Sequence, residues 1–183
     1  MHSSLPTRQR PFPNSYWVSD RLLAGEYPGA RDPAQAQAKV NQLLSCGISY
    51  LIDLTEPWDG PGEGLQPYRQ YLGDRTPSGT AITHCPRPIP DVSIPRSRQD
   101  MVTTLDQVDE AIANGHSVYV HCWGGIGRTG MVVGCYLVRH GLTGEAALAT
   151  VHRLWHSTDK SRTRPASPET LAQQAWVQTW REE

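Results

Sequence analysis

Two hydrophobic rhythms alternate along this chain of 183 residues. One returns every three or four residues, as one face of an α-helix does; the other gathers aliphatic and aromatic residues into short runs of strand length. The helical rhythm first appears after Asp32-Pro33, a good helix start, with Ala36, Val40, Leu43 and Leu44 on one face and Gly47 as a stop. A strand is expected directly afterwards at Ile48–Leu54, ending in polar Thr55 and Glu56, and a shorter one at Ala81–Cys85. Ser97-Arg98-Gln99-Asp100 resembles a capping box, and Met101, Leu105, Val108 and Ile112 then repeat at helical spacing until Asn114-Gly115. Val118–His121 reads as a strand and Arg128–Gly141 as a helix apolar on nearly every side, through Met131, Val132, Val133, Cys135, Tyr136, Leu137 and Val138. A helix of that kind is buried. Two more helices are expected, Gly144–Trp155 behind a cap at Thr143 and Pro168–Trp180 behind Ser167. Strands alternating with helices predict an α/β domain with a largely parallel sheet.

Composition narrows this picture in a few places. The length suits one domain, expected over residues 16–183 behind an N-terminal extension of residues 1–15. Basic and acidic residues number 17 and 18, so no global field recruits nucleic acid or an acidic membrane, and any anion site must be local. No run has the length and apolarity of a signal peptide or membrane span, which makes a cytoplasmic protein the expectation. Cys46, Cys85, Cys122 and Cys135 stand far apart without a C-x-x-C pair, so neither a zinc knuckle nor a redox dithiol is expected, and no metal or cofactor. Two stretches read as loops: Pro57–Gly79, rich in glycine and proline, and Ser157–Pro168, whose Lys160, Arg162 and Arg164 suit a solvated face.

The chemistry concentrates between the third predicted strand and the buried helix, in Val120-His121-Cys122-Trp123-Gly124-Gly125-Ile126-Gly127-Arg128-Thr129-Gly130. Gly125, Gly127 and Gly130 spell the G-x-G-x-x-G pattern of a dinucleotide turn. That reading wants an acidic residue at a strand tip about 20 positions on, and the only candidate, Asp159, has no strand to end. It also leaves Cys122 and Arg128 without a purpose. A loop of glycines before a buried helix can instead curl its N–H groups inward as an anion site at the helix's positive end. Arg128 can then grip two phosphate oxygens with its planar fork, with the Cys122 sulfur at the base of the bowl. Donors that bind a phosphate dianion also stabilise a thiolate, so Cys122 is expected to be a nucleophile rather than a small buried hydrophobe.

His121-Cys122-x5-Arg128-Thr129-Gly130 resembles the signature of the cysteine-based protein tyrosine phosphatases, and the chain's size resembles their dual-specificity branch. The resemblance implies a mostly parallel sheet of four to five strands with helices on both faces, and catalysis through a phosphocysteine on Cys122. It further implies that Arg128 and the loop amides of Trp123, Gly124, Gly125, Ile126 and Gly127 hold the phosphoryl oxygens. Thr129 would donate a hydrogen bond to the Cys122 sulfur, while His121 and Gly130 support the loop. The family's general acid is an aspartate on an upstream loop; here Asp91 lies in Pro88-Ile89-Pro90-Asp91-Val92-Ser93-Ile94-Pro95, 31 positions before Cys122 (122 − 91). More weakly, the likeness extends to a hairpin within Tyr16–Gly29 and to Ser167-Pro168-Glu169-Thr170 with Gln173, which would either approach the loop and place water or face solvent.

Members of the resembled superfamily that act on highly charged inositol lipids commonly carry lysines between the cysteine and the arginine; here Trp123 to Gly127 contain none, and the resemblance then argues against that substrate class. The asparagine- and arginine-rich segment with which the large tyrosine-specific members wall a deep phosphotyrosine pocket has no counterpart in this sequence. The expected substrate is therefore a phosphorylated protein carrying phosphotyrosine, with phosphoserine or phosphothreonine also admitted, handled by a monomer. The alternatives are a small phosphorylated metabolite or inositol phosphate, or a module that binds phosphate without turnover. Cys122, Arg128 and Asp91 together favour the enzyme, whereas Cys85 after His84 has no arginine at the right spacing and reads as a buried strand residue.

Overall fold

The computed structural model describes residues 8–59 and 64–182. Among these described residues five strands form one sheet: β1 (Ser15–Trp17), β2 (Leu22–Gly25), β3 (Ile48–Asp53), β4 (Thr83–Pro86) and β5 (Ser117–His121), in the order β1-β2-β5-β3-β4. Only the β1–β2 hairpin is antiparallel, so the expected, mostly parallel sheet is what the chain forms. β5 lies at the centre, and its alternation assigns the two faces. Val118 and Val120 join one core and Tyr119 the other.

Helix α1 (Pro33–Ser45) covers the Tyr119 face, where Val40, Leu43 and Leu44 pack with Leu23, Leu51 and Tyr68. Its Asp32 cap accepts from the Gln35 N–H at 2.9 Å, as the sequence anticipated. The other face carries α2 (Arg98–Ala113), α3 (Gly127–Arg139), α4 (Gly144–Trp155) and α5 (Leu171–Gln178). Helices thus lie on both faces. Every residue of α3 from Gly127 to Tyr136 is buried, including Met131, Val132 and Val133, each worth roughly 1.5–3 kcal/mol of transfer free energy. No helix among the described residues is long and apolar enough to cross a membrane.

Three expectations need correction. The last helix starts at Leu171 rather than Pro168, because Thr170 and Gln173 form a reciprocal capping box that outcompetes Ser167 as the cap. Ser167 instead donates its hydroxyl to the Ile126 carbonyl at 2.7 Å. The stretch from Arg8 is also no free extension: Phe12 is buried edge-on against Tyr119 with ring centroids 6.0 Å apart, and Ser15 opens β1. Residues 1–7 of the expected extension lie outside the described residues. Within the two expected loops, single 3-10 turns form at Tyr68–Tyr71 and Asp159–Arg162, and Gly60 to Glu63 lie outside the described residues.

Candidate active site

The carboxyl end of a central parallel strand opens onto the crevice where such sheets place ligands. β5 ends there with His121, and the next residue, Cys122, is 3% exposed with its Sγ accepting from the Gly125 N–H at 3.3 Å. Gly125 has φ +76°, and a Cβ on it would lie 2.5 Å from the Gly25 carbonyl carbon. Only glycine fits both demands, so the loop's curl is written into that position. α3 then begins at Gly127, and its first-turn N–H groups have no intrahelical acceptor and stand at the positive end of the helix.

Arg128, in that first turn, is 2% exposed. Its Nη1 donates to Asp59 Oδ2 at 2.5 Å, to the Ile89 carbonyl at 3.1 Å and to the Leu54 carbonyl at 3.4 Å. Nη2 pairs with Asp91 Oδ1 at 2.9 Å. One end of the guanidinium is therefore anchored, while the other is shared with a carboxylate that a phosphate would have to displace. Burial works against the guanidinium's charge, but Cys122, Asp59 and Asp91 outweigh it and raise its pKa. Asp59 was missed in the sequence, where it sits inside a glycine- and proline-rich stretch. Its signal was local: Asp59 N–H donates to the Glu56 carbonyl and its Oδ2 accepts from the Glu56 N–H, both at 2.9 Å, the self-closing turn that aspartate favours.

Asp91 stands at the second position of a turn closed by Ser93 N–H on the Pro90 carbonyl at 3.2 Å. The next residue, Val92, has φ +50° and is exposed. A β-branched residue in the left-handed region costs roughly 1–2 kcal/mol, so this turn is held by its surroundings rather than by its own preference. Asp91, Cys122, Arg128 and Gln173 line a narrow common cavity of about 30 Å³.

Beneath the loop, fully buried His121 joins a polar network that the sequence did not reveal. Its Nδ1 lies 3.0 Å from the Cys122 carbonyl and so must carry the proton, which leaves Nε2 to accept from Tyr68 Oη at 2.8 Å when the ring is neutral. Burial lowers the ring's pKa and favours that neutral form. Asp53 receives His84 Nε2 at 2.9 Å and both the N–H and hydroxyl of Thr55, at 3.0 and 2.5 Å. Burial alone would raise the Asp53 pKa; nearby His121 and these hydrogen bonds carry it well below the usual carboxylate range.

Thr129 departs from expectation. Its buried Oγ1 has no hydrogen-bond partner among the described residues, so the resting structure lacks the bond to Cys122. Gln173 is buried rather than solvated, and Gly130 packs against Ser167, which itself holds the Ile126 carbonyl. Lys160 is also more than a solvated loop charge. Its Nζ reaches Glu26 Oε2 at 2.6 Å and the Gly124 carbonyl at 3.3 Å, while Lys39 takes Glu26 Oε1 at 2.6 Å. Burial pushes the Glu26 pKa up, but the two lysines outweigh it and hold it low. With Arg31, Tyr27 and Trp123, Glu26, Lys39 and Lys160 line a basic cavity of about 280 Å³ beside the loop that follows Cys122. Trp123 packs on Tyr27 with ring centroids 5.0 Å apart.

The sheet order, the turn of glycines and the buried arginine at the start of the central helix define a dual-specificity phosphatase-like fold. The chain belongs to the Tc-R-P family, described as "Polymorphic toxin system, DSP-PTPase phosphatase", whose model matches residues 26–142. It is similar to the protein 067L of Invertebrate iridescent virus 3, which carries the name of a tyrosine phosphatase, at 29% identity over 67% of this chain and 45% of that protein. It is equally similar, at 29% over 67% of this chain and 46% of the other, to the phosphatidylglycerophosphate phosphatase PTPMT2 of Arabidopsis thaliana. The chain thus spans less than half the length of these relatives. Among solved structures, Tk-PTP in its active form superposes with a TM-score of 0.65 at 23% identity, over 90% of this chain and 93% of that one. TpbA of P. aeruginosa, in complex with pTyr, gives 0.65 at 19% identity over 98% and 94%, a likeness of fold.

Proposed function

We propose that this chain is a phosphomonoester hydrolase acting on phosphoproteins, on phosphotyrosine first and on phosphoserine or phosphothreonine as well. The observation that carries the reading is that Cys122, Arg128 and Asp91 line one cavity, with Arg128 anchored at Nη1 and its Nη2 lent to Asp91. In the first step the Cys122 thiolate attacks phosphorus and the bond to the leaving oxygen breaks. That oxygen takes its electron pair and a proton from Asp91. Arg128 and the amides of Trp123 through Arg128 stabilise the equatorial oxygens. In the second step water gives a proton to Asp91 and attacks phosphorus. The P–S bond breaks, releasing phosphate and thiolate.

His121 fixes the loop through its bond to the Cys122 carbonyl, and Thr129 acts on the sulfur only after a rotation from its resting position. The basic cavity beside Trp123 suits an acidic group next to the phosphorylated residue. Four free cysteines fit a reducing compartment such as the cytoplasm. A second reading, a phosphorylated lipid or metabolite, draws on the names of two Arabidopsis relatives, phosphatidylglycerophosphate phosphatases. The loop's lack of lysine weighs against it.

The test is turnover of an aryl phosphate by the native chain and by Cys122→Ser, followed by a panel of phosphopeptides and phosphatidylglycerophosphate. Native turnover abolished by the serine, with a phosphopeptide preference, supports the proposal. Phosphate binding without turnover would leave a binding module instead, and a preference for the lipid would select the second reading.

A further inference from the structure

Gln173 is fully buried, and both ends of its amide are committed. Oε1 accepts from the N–H groups of Glu169 and Thr170 at 3.2 and 3.1 Å, and Nε2 donates to the Ser93 carbonyl at 2.9 Å. Two N–H donors require the oxygen and a carbonyl requires the NH2, so the amide has one satisfactory orientation. Its side chain also rests on the phosphate loop, since a Cβ on Gly127 would lie 2.7 Å from Oε1.

The Ser93 contact bears on Asp91. The turn Pro90–Ser93 is held at its start, where Ile89 N–H donates to the Leu54 carbonyl at 3.0 Å and the Ile89 carbonyl receives Arg128. At its end the hold on the Ser93 carbonyl is Gln173. Between the two lies Val92 at φ +50°, a backbone state that a β-branched residue abandons when nothing retains it. When phosphate claims Arg128 Nη2, Asp91 loses its ion pair, and the two ends of the turn alone then define where its carboxyl stands.

We propose that Gln173 is the positioning residue of the general acid: it holds Ser93 so that Asp91 stays over the cup, and it keys that placement to the phosphate loop through Gly127. The proposal rests on the phosphatase reading. The competing account, a buried glutamine that merely caps α5, is separable because the two ends of the amide do different work. Oε1 caps the helix, and Nε2 holds the acid turn.

Gln173→Glu keeps the acceptors for the cap and removes the N–H donor to Ser93. Thr170→Ala removes the cap's hydroxyl and leaves the donor in place. Saturating rates are compared for p-nitrophenyl phosphate, whose leaving group needs little protonation, and phenyl phosphate, whose leaving group needs it. General acids contribute roughly 10²–10⁴-fold, so partial loss of placement in Gln173→Glu should lower the ratio of the phenyl phosphate rate to the p-nitrophenyl phosphate rate by about tenfold or more, whatever its common effect on both esters. Thr170→Ala should leave that ratio unchanged. In an Asp91→Ala background Gln173→Glu should lower the ratio no further, as expected of two residues serving one function.

Equal slowing of both esters, a ratio that falls further in the Asp91→Ala background, or the same selectivity from Thr170→Ala would overturn the proposal. Should the buried glutamate prevent folding, Gln173→Met removes both ends of the amide, and the same fall in the ratio, absent from Thr170→Ala and absent again in the Asp91→Ala background, is expected of it. A native protein that hydrolyses neither ester refutes the phosphatase reading itself, and the positioning role with it.

Discussion

Replacing Asp91 by alanine should weaken catalysis and tighten phosphate binding at the same time. In the resting structure the Asp91 carboxylate sits 2.9 Å from Arg128 Nη2, the edge of the guanidinium assigned to phosphate in the proposed reaction. Its side chain is 62% exposed, so the pair is largely screened and worth roughly 0.2–1 kcal/mol rather than the value of a buried one. With about 1.4 kcal/mol per tenfold, removing that competitor should lower the inhibition constant of inorganic phosphate by about 1.5- to 5-fold. The gain should shrink in high salt, because an exposed pair is already weakened there. Turnover moves the other way: phenyl phosphate should slow by roughly 10²–10⁴-fold and p-nitrophenyl phosphate far less. Competitive inhibition by phosphate and saturating rates on both esters measure the two effects in one preparation. An inhibition constant that rises or stays fixed at low salt would refute the competition between Asp91 and phosphate. Equal slowing of the two esters would move the acid role to another carboxylate, Asp59 being the nearest to Arg128 at 2.5 Å.

Asp59→Asn exchanges an ion pair on Arg128 Nη1 for a hydrogen bond from the guanidinium to a neutral amide oxygen, a loss of about 1 kcal/mol, so kcat/KM should fall about fivefold for both esters alike; an unchanged value would show that the Ile89 and Leu54 carbonyls suffice. Gly125→Ala combines a left-handed backbone, roughly 1–2 kcal/mol, with an approach of 2.5 Å to the Gly25 carbonyl carbon, so urea unfolding should show a loss of about 3 kcal/mol or more, and a native midpoint would mean the loop had relaxed freely. Stability should also fall with acid in two stages. His121 is held below its ordinary value of 6.5, so as pH drops beneath that value the unfolded chain takes up a proton that the folded chain refuses. Glu26 and Asp53 are likewise held below 4.5 and 3.8; their contribution is complete above those values and is lost as pH falls through the folded ones. Urea midpoints at pH 7.5, 5.5 and 4 test the sequence of events, and Glu26→Gln should flatten the second stage. A midpoint that rises from pH 7.5 to 5.5 would contradict the neutral burial of His121.

What could be read in advance follows from how far apart the cooperating residues lie. Cys122, the glycines and Arg128 are neighbours, so local backbone demands and the start of a buried helix expose their purpose; α4 was legible to the residue for the same reason, with Thr143 as its cap and Trp155 as its last apolar position. Asp91 was singled out through the family resemblance, by its proline-bounded loop upstream of Cys122, and the fold brings its carboxylate to 2.9 Å from Arg128. Asp59 is 69 positions from Arg128 and Ser93 is 80 from Gln173, and their meaning comes from the sheet order that brings those segments together. Ser167 shows the same limit on a smaller scale. It has the chemistry of a helix cap, but the Ile126 carbonyl offers its hydroxyl a partner across the fold, and the Thr170–Gln173 box then sets the helix start three residues later than expected. That shift has a consequence for the site: only with the helix starting at Leu171 does Gln173 fall in the first turn, with its amide turned back toward the acid loop. The cap and the placement of Asp91 therefore depend on one side chain, and an error of three residues in a helix boundary would have hidden the connection.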